Sequence, residues 1–221
     1  WARMRPTGGP RDRFVPDAGY AVTPGWMPMP AWSDGMRRLL LMILLLGISG
    51  CAGMGGYRES VRVTVSAVEV LESTPICPGK YMVLIAGDVS SVESSLNRGV
   101  ETGGDVVVDT LFIPHVHPTV FPAVLGATEV DALGALGVVE TFTVASSILA
   151  ADAAAKAAHV TLLEIRLAKG LGGKAFFTMT GEVFEVEAAM EAALRVARDG
   201  GNLVRSVVIP RPHEKLGASI L

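Results

Sequence analysis

The chain has little of what most functional classes require. Only two cysteines, Cys51 and Cys77, occur in 221 residues. That is too few for a disulfide framework, or for a zinc ribbon held within one chain. Charged residues make up 19% and the formal net charge is −3, which excludes a nucleic-acid binder acting through bulk basicity. A disordered chain is also excluded, because disorder needs low hydrophobicity and 50% of this chain is hydrophobic. Aromatics reach only 6%, so the apolar half is mostly Ala, Val, Leu and Ile. Together with 25 glycines, this composition suits closely packed layers better than a large aromatic-lined pocket. The apolar run Leu39–Ile48 is about half the ~20 residues a membrane-spanning helix needs, so no membrane span is expected. No nucleophile-and-base signature is present. The phosphate loop Gly-x4-Gly-Lys-Ser/Thr is also missing, because Ala175 follows Lys174. No enzyme is expected.

What is present falls into unlike parts. Residues 1–35 are rich in Pro, Gly, Arg and Trp, without helical or strand period. Met36-Arg37-Arg38, the run Leu39–Ile48 and Ser49-Gly50-Cys51 have the basic, apolar and small-residue order of a secretory signal. Ile48-Ser49-Gly50-Cys51 is also similar to a lipoprotein box, in which Cys51 would be lipidated and the chain anchored to an envelope. A third reading, a frameshift upstream of about Ala67, makes residues 1–66 spurious.

Beyond that point the chain repeats itself. Pro78–Val89 (PGKYMVLIAGDV) aligns with Gly172–Val183 (GGKAFFTMTGEV), 94 positions later. Ile113-Pro114 and His117 align with Ile209-Pro210 and His213, now 96 positions later. A unit this long exceeds a solenoid repeat and marks a duplicated domain. The divisions are 1–35, 36–66, a first domain at 67–131 and a second at 132–217. The second approaches the ~100 residues common for domains, and the first is shorter.

The second copy is the clearer. Its pattern predicts strands at Ala135–Thr141, Thr161–Leu167, Ala175–Thr180 and Leu203–Ile209, with helices at Val144–His159 and Val183–Arg198. Asp199-Gly200-Gly201 stops the second helix, and Gly170–Gly173 is a loop. The order β-α-β-β-α-β is the split-βαβ, ferredoxin-like arrangement of one sheet and two helices, an α/β sandwich. The first copy supplies strands at Val68–Glu72, Tyr81–Ala86 and Val106–Ile113, a loop at Thr74–Lys80 and a helix at Ser90–Glu101. The repeat places its first strand near 40–47 and its first helix near 48–65. Neither is recognisable there, so the first domain reads as incomplete. Asp88 and Glu182 follow Gly at matching positions and read as helix-capping or first-turn acids. His115-x-His117 reads as a solvent-exposed loop or strand-end pair rather than a metal pair.

LGVVET, DAAAKAA, GGK and VIPRPH in the second copy resemble the domain of bacterial microcompartment (BMC) shell proteins. Two such domains in one chain are similar to the tandem shell proteins. The loop Thr74-Pro75-Ile76-Cys77-Pro78-Gly79-Lys80, followed by a strand and Gly87-Asp88, resembles the PduT type of propanediol-utilisation compartments. The resemblance covers roughly residues 67–216. It implies a cytoplasmic compartment shell built with other BMC shell proteins. It also implies homotrimers arranged as pseudohexameric tiles, with the loops between second and third strands facing the central axis. In this chain the axis or pore loops would be Pro78, Gly79, Lys80 and Gly172, Gly173, Lys174. Lys156, Arg211 and His213 fall at the family's tile-edge and subunit contacts.

By itself Cys77 admits a buried structural thiol. The resemblance instead implies that three Cys77 thiolates, one per chain, hold a [4Fe–4S] cluster on the axis for electron transfer or cluster exchange across the shell, with a redox partner inside. A cluster-free tile, serving as wall or metabolite pore, is the alternative. The Gly172-Gly173 loop reads equally as a narrow pore or a turn. A lipid-anchored envelope protein and a small-molecule-binding or enzymatic split-βαβ domain are the readings from other classes.

Overall fold

The computed structural model describes residues 41–47, 68–77, 79–130, 132–213 and 215–216. They form two four-stranded antiparallel sheets with helices, as the tandem split-βαβ reading predicts. In chain order the first copy contains β1 (Leu41–Gly47), β2 (Val68–Ile76), β3 (Lys80–Gly87), α1 (Val89–Gly103) and β4 (Val107–Ile113). A short helix α2 (Val120–Leu125) leads into the second copy. That copy contains β5 (Ala135–Thr141), α3 (Val144–Ala157), β6 (Thr161–Arg166), β7 (Ala175–Gly181), α4 (Val183–Asp199) and β8 (Leu203–Ile209). The sheet orders are β2-β3-β1-β4 and β6-β7-β5-β8, the same topology twice.

The first domain does have its first strand, which corrects the expectation that it is lacking. β1 pairs antiparallel with β3 and β4, as β5 pairs with β7 and β8. The run that reads as the apolar core of a signal is therefore an inner strand. Periodicity cannot separate such a run from other short apolar segments. The expected first helix near 48–65, Cys51, Pro78 and the leader 1–35 lie outside the described residues.

The second difference is at the first-copy loop. β2 does not stop at Glu72 but continues through Thr74, Pro75 and Ile76, which pair with Met82, Tyr81 and Lys80. Pro75 is tolerated because β2 is an edge strand. The expected seven-residue loop shrinks to the turn 77–79. In the second copy, residues 167–174 separate the corresponding strands.

Helix boundaries follow local chemistry. Asp88 caps α1, its Oδ1 accepting the Ser90 backbone N–H at 3.1 Å. Thr143 caps α3, its Oγ1 accepting the Ser146 N–H at 3.1 Å. Glu182 holds the equivalent position on α4 without a side-chain cap bond. The glycine that turns left-handed after α4 is Gly201, at φ 66°. α3 is buried nearly all round, at Val144, Ala145, Ser146, Ser147, Ile148, Ala150, Ala151, Asp152, Ala154 and Ala155. Its alanines allow close approach to α4 on one side and to the first domain on another.

A continuous cluster of buried residues joins the copies. It includes Ile76, Met82 and Leu84 of the first sheet, Val120 and Phe121 of α2, and Leu162, Phe177, Met179 and Met190 of the second copy. Burying each such large side chain contributes about 1.5–3 kcal/mol. A second, smaller cluster, centred on Ile85 and Val92, lies between α1 and the first sheet. No helix among the described residues is long and apolar enough to cross a membrane.

Candidate functional site

The two loops expected at an axis differ in kind. Ile76, at 5% exposure, anchors the end of β2 in the core. The next residue, Cys77, is exposed, and its thiol is free. Gly79, at φ 60°, supplies the left-handed residue that closes the turn. Lys80 then starts β3, half-buried. A buried structural role for Cys77 is thus excluded within one chain. An exposed thiol directly after a paired strand is a suitable monodentate metal ligand. Among the described residues, no group of three or more His, Cys, Asp or Glu side chains comes together within the chain. One chain therefore offers a single free thiol at this turn.

The second-copy loop is longer and tied down by charge. Gly170, Gly172 and Gly173 have φ of 76°, 62° and 92°. Open space surrounds the position of a Cβ at Gly172. Lys174 closes the loop: its N–H donates to Leu171 O at 3.2 Å and its ammonium pairs with Glu140 of β5. Lys169 pairs with Glu72 of β2, a contact between the two copies. At the start of the loop the Arg166 guanidinium lies 5.4 Å from the Phe176 ring centroid and pairs with Glu164 at 2.6 Å.

The expected edge residues occupy a different region. Lys156, in the last turn of α3, is 43% exposed and pairs with Asp152 Oδ2 at 2.5 Å. Asp152 is buried, and its Oδ1 accepts the His117 backbone N–H at 2.7 Å. The carboxylate thus joins a second-copy helix to the tail of the first copy. Sequence reading misses Asp152, although its four-residue spacing from Lys156 on a helix was the available signal. Arg211 and His213 are exposed, as is His115, the first-copy counterpart of Arg211. His117 is half-buried, and its Nδ1 lies 2.8 Å from Thr119 Oγ1; His115 and His117 are not brought into a larger ligand group.

Comparison with known proteins assigns the arrangement. The BMC domain family matches residues 63–116 and 135–212, one segment in each copy. The Citrobacter freundii bacterial microcompartment shell protein PduT is 43% identical over 149 residues, which are 67% of this chain and 81% of that protein. The carboxysome shell protein CcmK3 of Synechococcus elongatus is 38% identical over 84 residues, 37% of this chain and 80% of its own. Among solved structures, a microcompartment protein from Desulfitobacterium hafniense superposes with TM-score 0.74 at 40% identity, covering 82% of this chain and 99% of that one. A fused permuted hexameric shell protein shares the fold, with TM-score 0.51 at 15% identity over 74% of this chain and 87% of its own. These relatives are structural proteins rather than enzymes. The duplicated topology and the two matched segments together place the chain in the BMC-domain family of bacterial microcompartment shell proteins.

Proposed function

We propose that three copies of this chain form one pseudohexameric tile of a cytoplasmic microcompartment shell, alongside other shell proteins. The three Cys77 thiolates would hold a [4Fe–4S] cluster at the tile's centre. The observation that carries this reading is the exposed, free Cys77 directly after β2, where the chain turns into β3. Thiolates are the usual ligands of iron–sulfur clusters, and a single chain offers one. Three chains would supply three, leaving one iron to an exogenous ligand. When bound, the group supplies one-electron transfer, to a partner inside the compartment. The chain's own contribution is presentation: Ile76 and Lys80 fix the two ends of the turn, and Gly79 lets the backbone reverse within it. Lys156, Arg211 and His213 serve the tile's edges and subunit contacts.

The test is anaerobic purification and reconstitution with iron and sulfide, followed by native mass and metal analysis. The expected result is a brown trimer with about four irons and four sulfides per three chains. Cys77→Ser should remove the colour and the iron while leaving the trimer intact. A trimer that takes up no iron after reconstitution would leave a cluster-free wall or pore tile in place of this reading.

A further inference from the structure

The duplication sets two lysines in unlike surroundings. Lys80 opens β3, and Lys174 directly precedes β7, 94 positions later. Lys174 pairs with Glu140 of β5. Glu140 stands opposite Phe176 in the second sheet, as Leu45 stands opposite Met82 in the first. Met82 and Phe176 are themselves 94 positions apart. In the first copy, the position of the neutralising carboxylate is therefore held by Leu45.

No other acid takes its place. Glu72, on the neighbouring strand β2, is bound by Lys169 of the second copy. Asp152 is bound by Lys156. Among the described residues, Lys80 makes no ion pair, although it is half-buried. Lys215 also lacks a carboxylate partner, but it is exposed and water can solvate it. A partly desolvated ammonium without a counter-charge is unfavourable.

The hairpin fixes what Lys80 stands next to. Its partner across β2 and β3 is Ile76, and such partners lie about 5 Å apart between Cα atoms. Cys77, the exposed free thiol, follows Ile76 directly. Thiol and lysine thus belong to the same turn. In the tile reading, three such turns face one axis. Three ammoniums gathered there repel one another unless an anion stands among them. The same turns supply three thiolates, and an iron–sulfur group held by thiolates is anionic, more so after it accepts an electron.

We propose that Lys80 is the counter-charge of the Cys77 site. One ammonium per chain offsets the thiolate charge and favours the reduced state over the oxidised one. Reduction here adds one electron to the group, with no bond made or broken and no proton moved, so charge alone sets the effect. Net charge is one of the known determinants of such potentials. The inference rests on the cluster reading and names the residue that tunes that site.

Two measurements on wild type, Lys80→Gln and Lys80→Arg test it. The first is a mediated redox titration of the anaerobically reconstituted protein with dithionite. Lys80→Gln should shift the equilibrium toward the oxidised state about tenfold, a potential about 59 mV lower for one electron. Lys80→Arg keeps the charge and should stay within about twofold of wild type. The second measurement uses the metal-free chain, with Cys51→Ser in every sample so that Cys77 is the thiol read. Its rates with the dianionic disulfide dithiobis-nitrobenzoate and the neutral disulfide dithiodipyridine are compared at one pH and low salt. Both reagents meet the same thiolate, so the ratio of rates reports local charge. Lys80→Gln should lower the anionic-to-neutral ratio about threefold, Lys80→Arg should restore it, and added salt should shrink the difference. An iron-loaded Lys80→Gln protein with the wild-type potential, or an unchanged reagent ratio, overturns the counter-charge and leaves the cluster reading standing. A wild type that takes up no iron overturns the cluster reading and this inference with it.

Discussion

Asp152 concentrates the polar contact between the two copies. It is buried, it binds the Lys156 ammonium with one oxygen and it accepts the His117 N–H with the other. Truncating it to Ala leaves that N–H without its acceptor, and stability should fall by about 1–3 kcal/mol. Asp152→Asn keeps an acceptor for His117 and loses only the ion pair. Because Lys156 is 43% exposed, that loss should stay at or below about 1 kcal/mol. Denaturant midpoints of the two variants check the order; equal losses would show that the charge, not the hydrogen bond, holds the contact. Asp88 gives a pH dependence instead. Hydrogen bonds from Ser91 and then Ser90 hold its carboxyl below the ordinary carboxylate value. A depressed folded-state pKa means that the cap's contribution is present above the unfolded value and is lost as pH falls through the folded one. In an acid titration followed by circular dichroism, the wild type should therefore lose stability relative to Asp88→Asn. Parallel curves would show that the cap charge contributes nothing.

At the level of elements, two glycines set how closely the second sheet packs. A Cβ on Gly134 would meet the Gly181 carbonyl oxygen at 2.4 Å, a backbone atom that cannot swing away. A Cβ on Gly137 would meet Met179 Cε at 2.7 Å and Val186 Cγ1 at 3.0 Å, and the thioether can move. Gly137→Ala should thus cost about 1–3 kcal/mol and Gly134→Ala more, as thermal unfolding would show. The elements themselves were unevenly legible in the sequence. β8 was readable to the residue, Leu203–Ile209, because glycines precede it and Pro210 ends it. α4 was readable because its apolar residues recur at three and four and a glycine pair follows. β1 was hidden, since its uninterrupted apolar run carries no strand period. α2 was hidden for a different reason: six residues are too few to display a helical stripe. The candidate site was legible where it depends on local sequence. The turn at Cys77 and the loop at Gly172 were both located by the repeat, but exposure of the thiol depends on how β2 and β3 end, which one sequence does not state. Lys174 was placed in the axis loop, but its partner Glu140 lies 34 positions away and only the sheet brings the two together.

The described residues of both copies fall in one compact unit, although the sequence is a duplication. Duplicated domains joined by a linker can unfold independently when their interface is small and polar. Here the buried cluster runs from Met82 and Leu84 through Val120 and Phe121 to Phe177 and Met179 without a break. The ion pair Lys169–Glu72 and the His117–Asp152 hydrogen bond add polar contacts between the same copies. A core shared in this way couples the two halves, because neither can open without exposing apolar surface of the other. Chemical unfolding of the full chain should therefore show one transition, with near-ultraviolet and far-ultraviolet circular dichroism coinciding. Val120→Asp places a charge at a position that is 0% exposed, where an unpaired ion is strongly disfavoured. That variant should separate the transition into two. The earlier step should report on the first domain, whose described helix α1 covers only the smaller cluster at Ile85 and Val92. Two transitions already in the wild type, or a single unsplit one in Val120→Asp, would show that the linker helix does not carry the coupling.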